Sequence, residues 1–241
     1  MKFAVLCAVL AVTAGLAVVF VVGDESGGEP GISFAHGSDS YPNHTATDWV
    51  TYADHVVVVT PAEEKDQKIP AEDRERGEGI VLRELKLRVD KVLWSRAKAS
   101  QPAPEVVDWL AWGWSFKDGD TGKRTKMASE GSPRIEMGHS YIIAITWEEA
   151  LCDEGDAPVP AHWNGLGSAG VIPFDSAMLG QGESEGSVFT AAQAREQAAP
   201  PASDTSLEAK VRGKGVTELV AELKSASPTE RKRFRPVSPC K

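Results

Sequence analysis

The sequence predicts a mainly-β fold: an antiparallel sheet curled into a small barrel or sandwich, with an N-terminal apolar helix before it and short helices after it. Three observations lead there. Five or six segments of strand pattern follow one another, separated by turn chemistry and without alternating long helices. An apolar run occupies Phe3 to Val22. Val216, Leu219, Val220 and Leu223 fall at i, i+3, i+4 and i+7, a helical stripe in the tail.

The apolar run is broken only by Thr13 and Gly15, with Lys2 before it and Asp24 and Glu25 after it. That charge order keeps the N-terminus cytoplasmic and carries the remainder across. Its length makes about 30 Å of helix, the thickness of a hydrocarbon core. A cleaved secretory peptide has a shorter apolar stretch and a small-x-small site, whereas this run ends Val21-Val22-Gly23-Asp24. Residues 1–22 therefore read as a signal anchor in preference to a signal peptide, with the membrane met through residues 3–22. The expected location is extracytoplasmic, anchored at a cell membrane or secreted.

Residues 23–46 are rich in Gly, Ser, Asp and Pro without periodicity, which reads as a flexible tether. Within it Asn43-His44-Thr45 matches an N-glycosylation acceptor. The β domain is expected over residues 47–190. Thr47 caps a helix from Asp48 to Ala53, and His55 to Thr60 is a β-branched strand stopped by Pro61. Residues 61–79 read as helix or loop. Leu85, Leu87 and Val89 then alternate with charged residues, and Val92-Leu93-Trp94 breaks the phase as a bulge would. Val106 to Phe116 is a third strand, followed by the hairpin turn Asp118 to Gly122. Arg134 to Met137, Tyr141 to Trp147 and Gly170 to Phe174 complete the strand set. Residues 191–206 form a linker whose first half is helix-like, and residues 207–241 a helical tail. In that tail Ser227-Pro228-Thr229-Glu230 reads as the start of a second helix.

Net charge is −9, with nine Lys/Arg against four Glu from Glu208 onward, so the body is more acidic than the total suggests. An acidic body repels phosphate and excludes nucleic acid as the partner. Apart from Cys7 the cysteines are Cys152 and Cys240, 88 residues apart. In an oxidising compartment a bridge between them contributes about 4–5 kcal/mol in the chain-entropy model; two free thiols are the alternative.

Three segments, Trp49-Val50-Thr51-Tyr52-Ala53-Asp54 running into His55 to Thr60, Leu87 to Trp94, and Met137-Gly138-His139-Ser140-Tyr141 running into Ile145, resemble a loose group of uncharacterised exported actinobacterial proteins. The resemblance covers residues 47–175. It implies an OB-like barrel similar to the netrin and metalloproteinase-inhibitor modules. Those inhibitors chelate a metal through an N-terminal cysteine, which this sequence lacks, so inhibition by that route does not carry over.

No motif carries enzyme chemistry. Gly165 to Gly170 fits the dinucleotide-binding spacing but lacks the strand before it and the helix after it that would hold a pyrophosphate. Gly182-Glu183-Ser184-Glu185-Gly186 fits a nucleophile elbow, yet no histidine follows His162 to complete a triad. Asp118-x-Asp120-x-Gly122 starts like a calcium loop but has Gly122 and Ser129 where ligands belong. The histidines at 36, 44, 55, 139 and 162 form no local pair; only His139 and His162, beside Asp153, Glu154 and Asp156, offer a long-range convergence. No cofactor, metal or catalytic residue is assigned.

The tryptophans say more. Simple alternation puts Trp112 and Trp114 on one face with Leu110 and Trp109 on the other, so one face holds indoles outside the barrel core. Trp109, Trp112 and Trp114 are the candidate binding residues, unless the tail seals them into the core. The expected function is a non-enzymatic envelope module contacting an envelope protein or a glycan. An unrecognised hydrolase or metal-dependent enzyme and a purely structural domain are the alternatives.

Overall fold

The computed structural model describes residues 31–35, 39–152, 158–198 and 204–232. The apolar run at residues 3–22 lies outside them. Among the described residues no helix is long and apolar enough to cross a membrane.

In chain order the elements are β1 (Ser33–Ala35), α1 (Ala46–Tyr52), β2 (His55–Asp66), α2 (Ala71–Arg76), β3 (Gly79–Ser95), β4 (Val106–Phe116), β5 (Arg124–Ser129) and β6 (Tyr141–Glu148). Then come β7 (His162–Gly165), β8 (Val171–Pro173), β9 (Gly182–Ser184), β10 (Ser187–Phe189), α3 (Ala191–Glu196), α4 (Leu207–Val211) and α5 (Val216–Ser225). The fold is mainly β, as expected, but the closed antiparallel OB-like barrel is corrected. Eight strands form one open sheet in the order β1-β5-β4-β3-β2-β6-β7, with β8 beside β6, and β9 and β10 make a separate hairpin. The large sheet is mixed, because β1 runs parallel to β5 while its other pairs are antiparallel.

Two cores lie on opposite faces of β2 and β6. Val57, Val59, Tyr141, Ile143 and Ile145 join Leu85, Leu87 and Val107 on the concave side. Val56, Val58, Ile142 and Ala144 face a helical layer carrying Trp49, Tyr52, Leu207, Val211, Leu219 and Leu223. Burial on both faces explains why these two strands read as continuous apolar runs while β3, wet on one face, alternates. The tail stripe is therefore packed, with Leu219 and Leu223 sealed against α1 and the sheet. It covers the face opposite the Trp109 core, so it does not seal Trp109 or Trp112. The tail's two described helices are α4 and α5; the helix start read at Ser227-Pro228-Thr229-Glu230 does not form among the described residues, where 226–232 are not helical and Thr229 N–H donates to Thr51 Oγ1 at 2.9 Å.

Several local expectations shift for physical reasons. Helix α1 is capped by Thr45, two residues earlier than Thr47, in a reciprocal capping box with Asp48. Thr45→Ala is expected to cost about 1 kcal/mol, read as a lower midpoint in urea with unchanged slope. Strand β2 runs through Pro61 to Asp66 because β6 pairs only with His55–Val59, leaving that side open where proline lacks its N–H. The phase break near Val92 is a bulge: Val56 pairs with Trp94 and Val57 with Val92, skipping Leu93. Arg134 to Met137 is a loop, whereas Ser33–Ala35, within the stretch read as tether, is a strand. Asn43 is 1% exposed and donates to Asp39 and to the Leu166 carbonyl, so the glycosylation acceptor is packed inside.

Candidate functional site

The register around Gly113 decides where the tryptophans go. Val81 pairs with Trp114 and Leu82 with Trp112, so Gly113 is an extra residue on β4. A Cβ at Gly113 would lie 2.2 Å from the Val81 carbonyl oxygen, which is why glycine stands there. Because Val81 and Leu82 point to opposite faces, the bulge puts Trp114 on the side of Trp109 and leaves Trp112 with Leu110. Simple alternation across the strand, which grouped Trp112 with Trp114, is corrected by this one residue.

Trp114 is half-buried under the Arg134 guanidinium, 4.8 Å from its ring centre, and its Nε1 donates to Asp66 at 3.3 Å. It belongs to a charged network at one end of the concave face. There the fully buried Arg83 bonds the carbonyls of Trp112, Arg134 and Ile135 and pairs with Glu64. Arg134 bonds the carbonyls of Met127 and Gly113 and pairs with Glu136. Burial, and then the neighbouring Arg83, lowers the Arg134 pKa. Burial alone would raise the Glu136 carboxyl, but Arg134 and Lys126 outweigh it and hold it below the usual carboxylate range. These charges satisfy one another, which makes the network a scaffold.

Trp109 and Trp112 instead border a cleft of about 540 Å³ between β4, β7 and the loop Ser132–Ile135. Along β4, strand β5 pairs only with Trp114–Phe116, so among the described residues no strand pairs with Val106–Gly113 on the side away from β3. Strand β7 likewise pairs only with β6. The sheet curls until these two edges meet, and the Trp109 ring closes the approach. A Cβ on Gly165 would sit 2.4 Å from Trp109 Cη2. The seam is thus filled by an indole where a closed barrel would have a hydrogen-bonded ladder. Trp163, opposite Trp147 on β6 with ring centres 5.3 Å apart, also lines the cleft.

The polar side chains around the cleft are largely engaged within the protein. Asp39 accepts from the Ser168 amide and hydroxyl and from Asn43. Asp108 is paired with Lys86, and Asn164 donates to Glu148. Trp112 Nε1 donates to Ser129 Oγ at 2.8 Å. Beside these engaged groups the lining presents the Trp109 and Trp163 indoles, His162 and Ser132.

The other motifs resolve into turns. Gly165 to Gly170 ends in a single 3-10 turn whose Ser168 amide is capped by the Asp39 carboxylate, which would repel a pyrophosphate. Gly182 to Gly186 spans the β9 strand and the tight turn to β10, with no strand-to-helix elbow at Ser184. Asp120 Oδ1 accepts from the Gly122 and Lys123 amides, closing the turn. His139 pairs with Asp175 at 2.6 Å and His162 bonds the Pro160 carbonyl, each in its own neighbourhood. Among the described residues no group of three His, Cys, Asp or Glu is placed to hold a metal; Asp153, Glu154 and Asp156 lie outside them. Cys152 is not a free thiol, and Cys240, its expected partner, lies outside the described residues.

No family model matches the chain, no curated protein matches it, and no solved structure matches it.

Proposed function

We propose that this chain is a non-catalytic binding module that works outside the cytoplasm, tethered or exported through residues 1–22, and engages an envelope partner in the seam cleft. The observation that supports this reading most is the cleft itself: an opening of about 540 Å³ bordered by Trp109, Trp112 and Trp163 at a place where the sheet leaves two edges unpaired. Flat, rigid indoles with little rotamer entropy to lose are efficient contact surfaces. A Cys152–Cys240 bridge fits the same compartment and would tie the tail to the body.

The test is a quantitative pull-down from the native envelope with the full chain as bait beside Trp112→Ala and Trp114→Ala. Trp112 lines the cleft, whereas Trp114 does not and meets its wall through the stacked Arg134. A partner reduced at least tenfold in Trp112→Ala and retained in Trp114→Ala is the expected result. Equal recovery in both variants, at equal urea midpoints, removes the cleft as the binding site.

A further inference from the structure

Resting on that reading of the cleft, we propose that its ligand is a short neutral oligosaccharide, held by the indole surfaces and by side-chain donors and acceptors around them.

The polar groups left open in the lining are side chains of both kinds. The Trp109 and Trp163 indole N–H groups and the Ser132 hydroxyl make no hydrogen bond among the described residues, and none is an orphan of the interior, so they are donors open to solvent. Acceptors stand among them. Asp108 accepts from Lys86 through Oδ1, and its side chain is 77% exposed, so Oδ2 is open. Asn164 spends its amide N–H on Glu148 and keeps its carbonyl oxygen. His162 Nδ1 donates to the Pro160 carbonyl, which leaves Nε2 of the neutral ring as an acceptor. A hydroxyl donates and accepts at once, so a ligand rimmed with hydroxyls answers this mixture better than one carrying a single kind of group. Fixed indoles supply the apolar part. Trp112 is anchored by Ser129, and Trp163 stands against Trp147 and His55 with ring centres 5.3 Å from each. A pyranose presents a flat C–H face to such surfaces and hydroxyls at its rim, matching apolar walls with a few convergent polar groups.

Competing ligand chemistries meet obstacles. Among the described lining residues Arg134 is the one Lys or Arg, and its guanidinium is committed to the Met127 and Gly113 carbonyls and to Glu136. A phosphate, a uronic acid or an acidic peptide would face Asp39 and Asp108 with no free cation to meet it. An extended peptide draws its affinity from a main-chain ladder on a sheet edge. The Trp109 ring fills the seam between β4 and β7 at Gly165, where such a ladder would form, so recognition falls to side chains. The cleft of about 540 Å³ lies within the roughly 300–1,000 Å³ of small-molecule sites.

The probes are cellotetraose, mannotetraose and N-acetylchitotetraose, with tetragalacturonate as the anionic counterpart, each titrated by calorimetry against the full chain. The expected result is saturable binding of at least one neutral tetrasaccharide, at least tenfold tighter than tetragalacturonate, with a shift in tryptophan emission. That binding should fall at least tenfold in Trp112→Ala and at least threefold in Asp108→Ala, a change at an exposed side chain that leaves the fold intact, and hold in Trp114→Ala. No saturable binding of any neutral probe, or equal binding of tetragalacturonate, overturns the proposal. So does binding retained in both Trp112→Ala and Asp108→Ala at unchanged urea midpoints. A partner lost in Trp112→Ala yet still captured from an envelope whose sugars have been cleaved with periodate would sink the glycan and leave the binding reading standing.

Discussion

Asp54→Ala is expected to lower stability by about 3–5 kcal/mol, the range for removing one member of a buried ion cluster. The Asp54 carboxylate is fully buried at the junction of α1 and β2. Its Oδ2 accepts from the Trp147 amide at 2.9 Å and the Thr146 hydroxyl at 3.3 Å. Its Oδ1 has no hydrogen bond and is held by charge, 3.4 Å from Arg96 Nε and 3.6 Å from Arg231 Nη1. Arg96 lies on the connection after β3, and Arg231 reaches in from the tail to bond the Tyr52 carbonyl. Burial lowers the Arg96 pKa, Arg231 adds to that, and Asp54 opposes it. Without the carboxylate, two guanidinium groups face each other and the Trp147 amide loses its acceptor. Urea unfolding followed by far-ultraviolet circular dichroism measures the effect. A loss below about 1 kcal/mol would mean that the arginines rehydrate freely and the cluster contributes little. Asp54→Asn, which keeps an acceptor for the Trp147 amide, should fall between the two.

The sequence shows clearly those elements whose residues see two different environments. The strand expected over Val106 to Phe116 forms there as β4, and the β3 alternation of Leu85, Leu87 and Val89 is wet on one side and packed on the other. The tail stripe of α5 reads for the same reason. Strands of three or four residues, such as β1 and β7, are too short to show a period; β7 exists because Trp163 pairs across to Trp147 on β6. Barrel closure is beyond what strand count can predict, because the count does not say whether the last two edges hydrogen-bond. That depends on Trp109 meeting Gly165, a contact between residues far apart in the chain.

The candidate site was half legible. Trp109 and Trp112 border the cleft, but Trp114 does not, and the signal that separates them is present in the sequence. A glycine between two indoles in a strand marks a bulge that reverses the facing of the residues after it. Arg83 was also open to inference. It occupies the inward phase with Val81, Leu85 and Leu87, and a charge in that phase must find partners inside. Nothing local announced Trp163 as a cleft residue, nor the loop at Ser132–Ile135 as a wall, because both are placed by tertiary contacts alone.

That loop carries the second large effect. Glu183→Ala should cost about 3–5 kcal/mol and also abolish binding in the cleft. Glu183 is 1% exposed. Its Oε1 accepts from the amides of Arg134 at 3.0 Å and Gly186 at 2.7 Å, and its Oε2 from the Ile135 amide at 3.0 Å and the Tyr141 hydroxyl at 2.9 Å. Burial and the adjacent carboxylate push the Tyr141 hydroxyl well above its ordinary pKa, so it stays a donor throughout the working range. Ile135 sits at φ 59°, a left-handed conformation that a β-branched residue resists by roughly 1–3 kcal/mol. The bonds from the Arg134 and Ile135 amides to one carboxylate hold it there. Alanine would leave two buried amides, the half-buried Gly186 amide and a hydroxyl without their acceptor and release the strain, so the cleft wall moves. Glu183→Gln is expected to be almost as damaging, because its NH₂ presents donors to donors. Tyr141→Phe removes two bonds, the one donated to Glu183 and the one accepted from the Glu136 amide, and should cost about 1–3 kcal/mol while Glu183 still holds the Arg134 and Ile135 amides. Urea midpoints for the three variants, read beside binding of the envelope partner, separate the roles. Stability lost without loss of binding in Glu183→Ala would show that the cleft does not depend on the backbone conformation of Ile135.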